Sequence, residues 1–131
     1  MDLEDCEVLI VDDVMSFRVH IQEILEKAGF KKISQTENGV AAKIHLASRR
    51  CDLILSDWFM YPMTGLDLLK WVRTESRMKE VPFVMVTAQR TREAVLQAAE
   101  YRVDDYLVKP VSLQQLQEKL ISLLTRKKVI S

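Results

Sequence analysis

The chain has 131 residues and a mass of 15.2 kDa, the size of one domain, and folding can bury about two-thirds of its unfolded surface. Lys and Arg number 19, as do Asp and Glu, so the overall basic charge of a nucleic-acid binder is missing, and no apolar run approaches the roughly 18 residues of a membrane span. The acidic start Met1-Asp2-Leu3-Glu4-Asp5 excludes a secretory n-region, and Cys6 and Cys51, in neither metal nor redox spacing, read as reduced, buried thiols of a cytoplasmic protein.

Short apolar runs alternate with amphipathic stretches. Glu7-Val8-Leu9-Ile10-Val11 is β-branched and nearly all apolar, the pattern of a strand buried on both faces. Ile21, Ile24, Leu25 and Ala28 recur at helical spacing, and Gly29 ends that helix. Lys32 to Thr36 is a more polar strand, expected near a sheet edge. Asn38-Gly39 is a turn, followed by a helix over Val40 to Ser48. Leu53 to Ser56 is a buried strand that stops at Asp57. Gly65 to Glu75 carries Leu66, Leu68, Leu69, Trp71 and Val72, a third helix. Pro82 precedes a strand over Phe83 to Val86 that stops at Thr87. A helix spans Thr91 to Ala99, and a fifth strand, Asp105 to Val108, stops at Lys109-Pro110. Ser112 caps the last helix, with Gln115 placed as in a capping box. Strict alternation of this kind predicts an α/β fold with a parallel sheet and helices on both faces.

Function in such sheets sits beyond the carboxyl ends of the strands. The first strand delivers Asp12 and Asp13, the third Asp57, the fourth Thr87 and the fifth Lys109. Three converging carboxylates repel one another unless a cation joins them. An oxygen-rich set suits a hard divalent ion, and Mg²⁺ is the usual choice beside a phosphoryl group.

These residues resemble the receiver domain of a two-component response regulator, close to the single-domain chemotaxis type. The matching pieces are Val8 to Asp13, Asn38-Gly39, Asp52 to Trp58, Met63 with Gly65 to Leu69, Thr87-Ala88 and Asp104 to Pro110. The resemblance covers residues 6 to 124, taken as the core of a single receiver domain over 1–131. It implies a flavodoxin-like doubly wound fold of five parallel strands, order 2-1-3-4-5, with five helices. It implies phosphorylation of Asp57 by a histidine kinase or phosphotransfer protein. Mg²⁺ would be held by Asp12, Asp13, Asp57 and the main-chain carbonyl of Phe59. Lys109 and Thr87 would contact phosphoryl oxygens, Thr87 and Tyr106 would form the switch, and the Lys109-Pro110 bond would be cis. A downstream protein target would bind a face comprising Arg92, Val95, Ala99, Tyr106, Val108 and Lys119. A monomer without direct nucleic-acid or membrane contact is expected; Asp104, Asp105 and Lys119 fit half of a charge-paired dimer pattern, but Ile121 stands where a second basic residue belongs.

Departures from the family pattern cluster near Asp57. The proline after the acceptor falls at Pro62, one position late, which reshapes the loop beyond Asp57. Phe59 and Gln89 border the site, and slow loss of the phosphoryl group is expected from them. Arg102 replaces a glycine-containing turn and calls for a left-handed backbone or a different helix end. His20 and His45 lie away from the strand ends and read as surface or boundary residues. Arg126-Lys127-Lys128 suits the negative end of the last helix. A haloacid-dehalogenase type phosphotransferase needs a second acid two residues after its nucleophile, where this chain has Phe59. A receiver cut from a longer regulator, and a docking module without phosphorylation, are the remaining alternatives.

Overall fold

The computed structural model describes all residues, 1–131. A 3-10 turn, Leu3–Asp5, leads into β1 (Glu7–Val11), α1 (Met15–Ala28), β2 (Lys32–Thr36), α2 (Gly39–Ser48), β3 (Leu53–Ser56), α3 (Gly65–Thr74), β4 (Phe83–Thr87), α4 (Arg92–Glu100), β5 (Asp105–Val108) and α5 (Leu113–Arg126). The strands form one sheet in the order β2-β1-β3-β4-β5. Every pairing is parallel, with Val11 opposite both Thr36 and Ser56, and Thr87 opposite Val108. The predicted fold class and strand order are those observed.

Side chains alternate across a strand, so each central strand feeds two core layers. Val8 and Ile10, Leu53 and Leu55, Val84 and Val86, and Leu107 face α1 and α5, where Ile21, Leu25, Leu116, Leu120, Leu123 and Leu124 meet them. Leu9 and Val11, Ile54, and Phe83 and Met85 face α2, α3 and α4, where Leu46, Leu68, Leu69, Val72 and Ala98 pack. Cys6 and Cys51 belong to opposite layers. Both are free, and burial pushes each thiol up to about 12, so neither is reactive near neutral pH. No helix is long and apolar enough to cross a membrane.

Local chemistry sets the helix ends. Asn38, Thr64, Thr91 and Ser112 each accept a backbone N–H as N-caps. The capping box expected at Ser112 and Gln115 is only half formed, because Ser112 accepts the Gln115 N–H without return. The reciprocal box is at α3, between Thr64 and Asp67. Gly29 ends α1 at φ 114°, a conformation open to glycine.

Of the two alternatives at this turn, a left-handed backbone or a different helix end, Arg102 shows the left-handed backbone, at φ 60°. Its carbonyl accepts Nε and Nη2 of buried Arg73 at 3.2 and 3.0 Å, which offsets the local strain. Both the Lys109-Pro110 bond and the Tyr61-Pro62 bond are cis; the sequence reading anticipated only the first. Apolar packing also runs past residue 124: Lys128 turns left-handed and returns Ile130 to the layer beneath α1 and α5.

Candidate functional site

The carboxyl ends of β1, β3, β4 and β5 bring the expected residues together. Asp57 is buried just past β3. Its N–H donates to the Val11 carbonyl at 2.9 Å, which fixes it beside the end of β1. Its Oδ1 accepts the Trp58 N–H at 2.7 Å and the Phe59 N–H at 3.4 Å, leaving Oδ2 turned to Lys109 Nζ at 3.5 Å. Asp12 is buried as well. Its Oδ1 accepts the Val14 N–H at 2.9 Å, which opens α1 with an Asx turn in place of an N-cap side chain. Its Oδ2 accepts from Lys109 Nζ at 2.9 Å.

Asp13 completes the acidic group from the solvent side. Carboxylate oxygens of Asp12, Asp13 and Asp57 all lie within 4.8 Å of one another. Burial pushes the Asp12 carboxyl above its ordinary range and Asp57 adds to the rise, against the opposing pull of Lys109 and the Val14 N–H. One lysine therefore leaves this cluster short of positive charge. Three hard oxygen donors at this spacing, open to solvent through Asp13, suit a small divalent cation of the Mg²⁺ kind.

Thr87 is fully buried at the end of β4, and its Oγ1 accepts the Gln89 N–H at 3.2 Å. Lys109 is held at the end of β5 by its own N–H, which donates to the Thr87 carbonyl at 2.9 Å. Tyr106 is half-buried, and its hydroxyl donates to the Gln89 carbonyl at 2.6 Å. Burial, and then the charge of Asp57, push this phenol up to about 12. The tyrosine thus spans from β5 to the loop after Thr87. Gln89 uses its side-chain oxygen on the Thr91 N–H at 3.3 Å, so that oxygen belongs to the loop rather than to the acidic cluster. The Phe59 ring is 53% exposed on the loop after Asp57.

Of the residues expected on a partner face, Arg92, Ala99 and Lys119 are exposed, and Val95, Tyr106 and Val108 are half-buried. Asp104 is not the surface acid that a charge-paired dimer would use. It is enclosed, bonded to Arg73 Nη2 at 2.9 Å and Lys127 Nζ at 3.0 Å. His20 is exposed and His45 half-buried, both outside the acidic group.

Two residues at the site escaped the sequence reading. Arg18 Nη1 donates to the Asp12 carbonyl at 2.6 Å, and its Nε donates to Gln35 Oε1 at 3.1 Å. Phe17 places its ring centroid 3.7 Å from Lys109 Nζ. Both sit in the first turns of α1, which the apolar stripe from Ile21 onward did not cover. The available signal was their position, four and five residues after the second acid of the Asp12-Asp13 pair.

An open parallel sheet with acids after β1 and β3, a hydroxyl at β4 and a lysine after β5 is a receiver-type arrangement. The family model described as the response regulator receiver domain matches residues 8–121, and the chain belongs to that family. It is 38% identical over 120 residues to the chemotaxis protein CheY of Pseudomonas aeruginosa, covering 92% of this chain and 97% of that protein. Among solved structures it is similar to Vibrio cholerae chemotaxis protein CheY4, with a TM-score of 0.84 and 31% identity over 91% of this chain and 98% of that one. It is also similar to the signal receiver domain of a signal transduction histidine kinase from Syntrophus aciditrophicus, with a TM-score of 0.85 and 29% identity over 96% of this chain and 95% of that one.

Proposed function

We propose that the domain is a phosphorylation-dependent signalling switch. Asp57 accepts a phosphoryl group from a phosphohistidine of a histidine kinase or phosphotransfer protein. One carboxylate oxygen of Asp57 bonds to phosphorus as the bond from the histidine nitrogen breaks, and the imidazole leaves. The observation that carries this reading is Asp57 itself: Oδ1 is pinned by two backbone N–H groups, while Oδ2 faces Lys109 at 3.5 Å. Phosphoryl transfer needs positioning and charge neutralisation more than covalent help. Asp12, Asp13 and Asp57, with the Phe59 carbonyl, would hold Mg²⁺, which when bound supplies positive charge to the transferring oxygens. Lys109 supplies a second positive charge from the protein. The domain modifies itself and turns over no other substrate, so its product is a conformational state.

The switch runs from Thr87 to Tyr106. A phosphoryl group adds charge and acceptor oxygens beside Asp57. The Thr87 hydroxyl turns to donate to them and releases the Gln89 N–H. Gln89 also carries the carbonyl that holds Tyr106, so one loop joins the two residues. The change reaches α4, β5 and α5, where Arg92, Val95, Ala99, Tyr106, Val108 and Lys119 offer an apolar and basic face to an acidic amphipathic helix of a target. The domain acts as a cytoplasmic monomer on this reading. A receiver embedded in a longer protein is the second reading, favoured by the similarity to a receiver domain of a histidine kinase.

Trp58, next to the acceptor, reports on the site. Its fluorescence is expected to change on adding Mg²⁺ and again on adding beryllofluoride, and Asp57→Asn is expected to abolish the second change. Trp58→Phe, which leaves Trp71, confirms the source. Metal binding with no response to the phosphoryl mimic would leave a docking module instead.

The exposed Phe59 ring is expected to slow hydrolysis of the acyl phosphate, because an apolar group two residues after the acceptor excludes the attacking water. Phe59→Asn should lose phosphate several-fold faster after removal of the donor, on the order of 1 kcal/mol in barrier height. An unchanged or slower rate contradicts this role.

A further inference from the structure

We propose that Phe17 is a positioning residue that holds the Lys109 ammonium at the acceptor through the face of its ring. The inference rests on the phosphoacceptor reading above. Lys109 Nζ has three partners: Asp12 Oδ2 at 2.9 Å, Asp57 Oδ2 at 3.5 Å and the Phe17 ring centroid at 3.7 Å. Phe17 lies in the first turn of α1, half-buried and packed against the α1 and α5 core layer. With Asp12 and Asp57 it lines a small cavity closed beneath by Ile10, Leu55 and Val86. The core thus braces the ring from behind.

The three partners differ in kind. An ammonium over a ring face is attracted by the quadrupole of the aromatic system. That attraction does not depend on a net negative charge. The two carboxylates lose their hold on the lysine whenever a divalent cation draws on their charge, and Asp57 ceases to be a carboxylate once it carries a phosphoryl group. The ring neither titrates nor ligates a hard cation. It therefore keeps Nζ beside Asp57 while both carboxylate partners are being neutralised. It also stands where water would otherwise hydrate the ammonium. An aliphatic side chain would fill the same space without the quadrupole, which separates positioning from packing.

The test uses the full chain in two ways. In metal-free protein the ε-methylene protons of Lys109, assigned with Lys109→Ala, are expected to be shifted upfield by the ring current. Phe17→Leu should lose that shift and Phe17→Tyr should keep it. With acetyl phosphate at saturating Mg²⁺, Phe17→Leu should take up phosphoryl groups roughly three- to thirtyfold more slowly, and Phe17→Tyr should restore the rate. Should Phe17→Leu fail to fold, Phe17→Met takes its place. Unshifted Lys109 protons in the unmodified chain would overturn the proposal, as would a leucine variant as fast as the parent or a tyrosine variant as slow as leucine. An unmodified chain that takes up no phosphoryl group would overturn the proposed function instead, and the proton shifts would still decide whether the ring holds the lysine.

Discussion

Replacing Gly65 by alanine is expected to lower the melting temperature by about 10 °C and to slow phosphoryl uptake together. The reason is space rather than backbone freedom. A Cβ on Gly65 would collide with the carbonyl oxygen of Asp57 and stand 2.9 Å from the Cα of Trp58. Neither is a flexible side-chain tip that can swing away. The Gly65 N–H also donates to the Trp58 carbonyl at 2.9 Å, so helix and loop are tied at that point. Relief requires moving the start of α3 or the Asp57-Trp58 peptide, and overpacking of this kind costs about 3 kcal/mol, near 10 °C for a domain of this size. The peptide that would move presents the Trp58 N–H to Asp57 Oδ1. Thermal melts and uptake from acetyl phosphate read the two effects, and an unchanged melting temperature contradicts the contact.

Asp104→Ala is expected to destabilise the fold by about 3 to 5 kcal/mol, the usual penalty for leaving a buried partner charge alone. The side chains of Arg73 and Asp104 are only 4% and 7% exposed. Asp104 Oδ2 also accepts the Phe83 N–H at 2.8 Å, so the substitution orphans a backbone donor at the start of β4. Arg73 is further bonded to the carbonyls of Lys79 and Val81 at 3.1 and 2.7 Å, which prevents it from turning out to solvent. Burial pushes the Arg73 guanidinium below its ordinary range, with Asp104 opposing, so removing Asp104 leaves the desolvation cost uncompensated. This cluster lies at the opposite ends of β4 and β5 from Lys109. Urea unfolding should show the loss, while uptake per folded molecule should stay at the parent rate. A loss below about 1 kcal/mol would mean the pair is replaceable.

The strands and the site scaffold were legible for one reason. Runs such as Val8 to Val11 and Leu53 to Leu55 can only be buried on both faces, and parallel strands bring the residues just past their carboxyl ends to one edge of the sheet. Asp12, Asp13, Asp57, Thr87 and Lys109 therefore converge from chain order alone. Side chains that reach the site from a helix were not legible. Phe17 and Arg18 look like ordinary first-turn residues until α1 is docked, because their direction depends on packing rather than on period. The enclosed pair of Arg73 and Asp104 was not legible either, because burial of a polar residue has no signature in a single sequence. The return of Ile130 to the core was hidden by the basic stretch before it, which reads as a solvated tail.

The acidic cluster and the half-buried Lys109 bring the opposite charges of the site to one edge of the sheet. Asp12 and Asp13 at one strand end and Asp57 at the next leave an excess of negative charge that Lys109 offsets in part and a metal ion would complete. The loop after Thr87 ties that residue to Tyr106 on the edge strand, through the N–H and the carbonyl of Gln89.

The most direct measurement is intact and fragment mass spectrometry of the full chain after incubation with acetyl phosphate and Mg²⁺. The expected result is one added phosphoryl group per chain, located on Asp57, absent without Mg²⁺ and absent in Asp57→Asn. An unmodified chain, or a phosphoryl group on any other residue, would contradict the account.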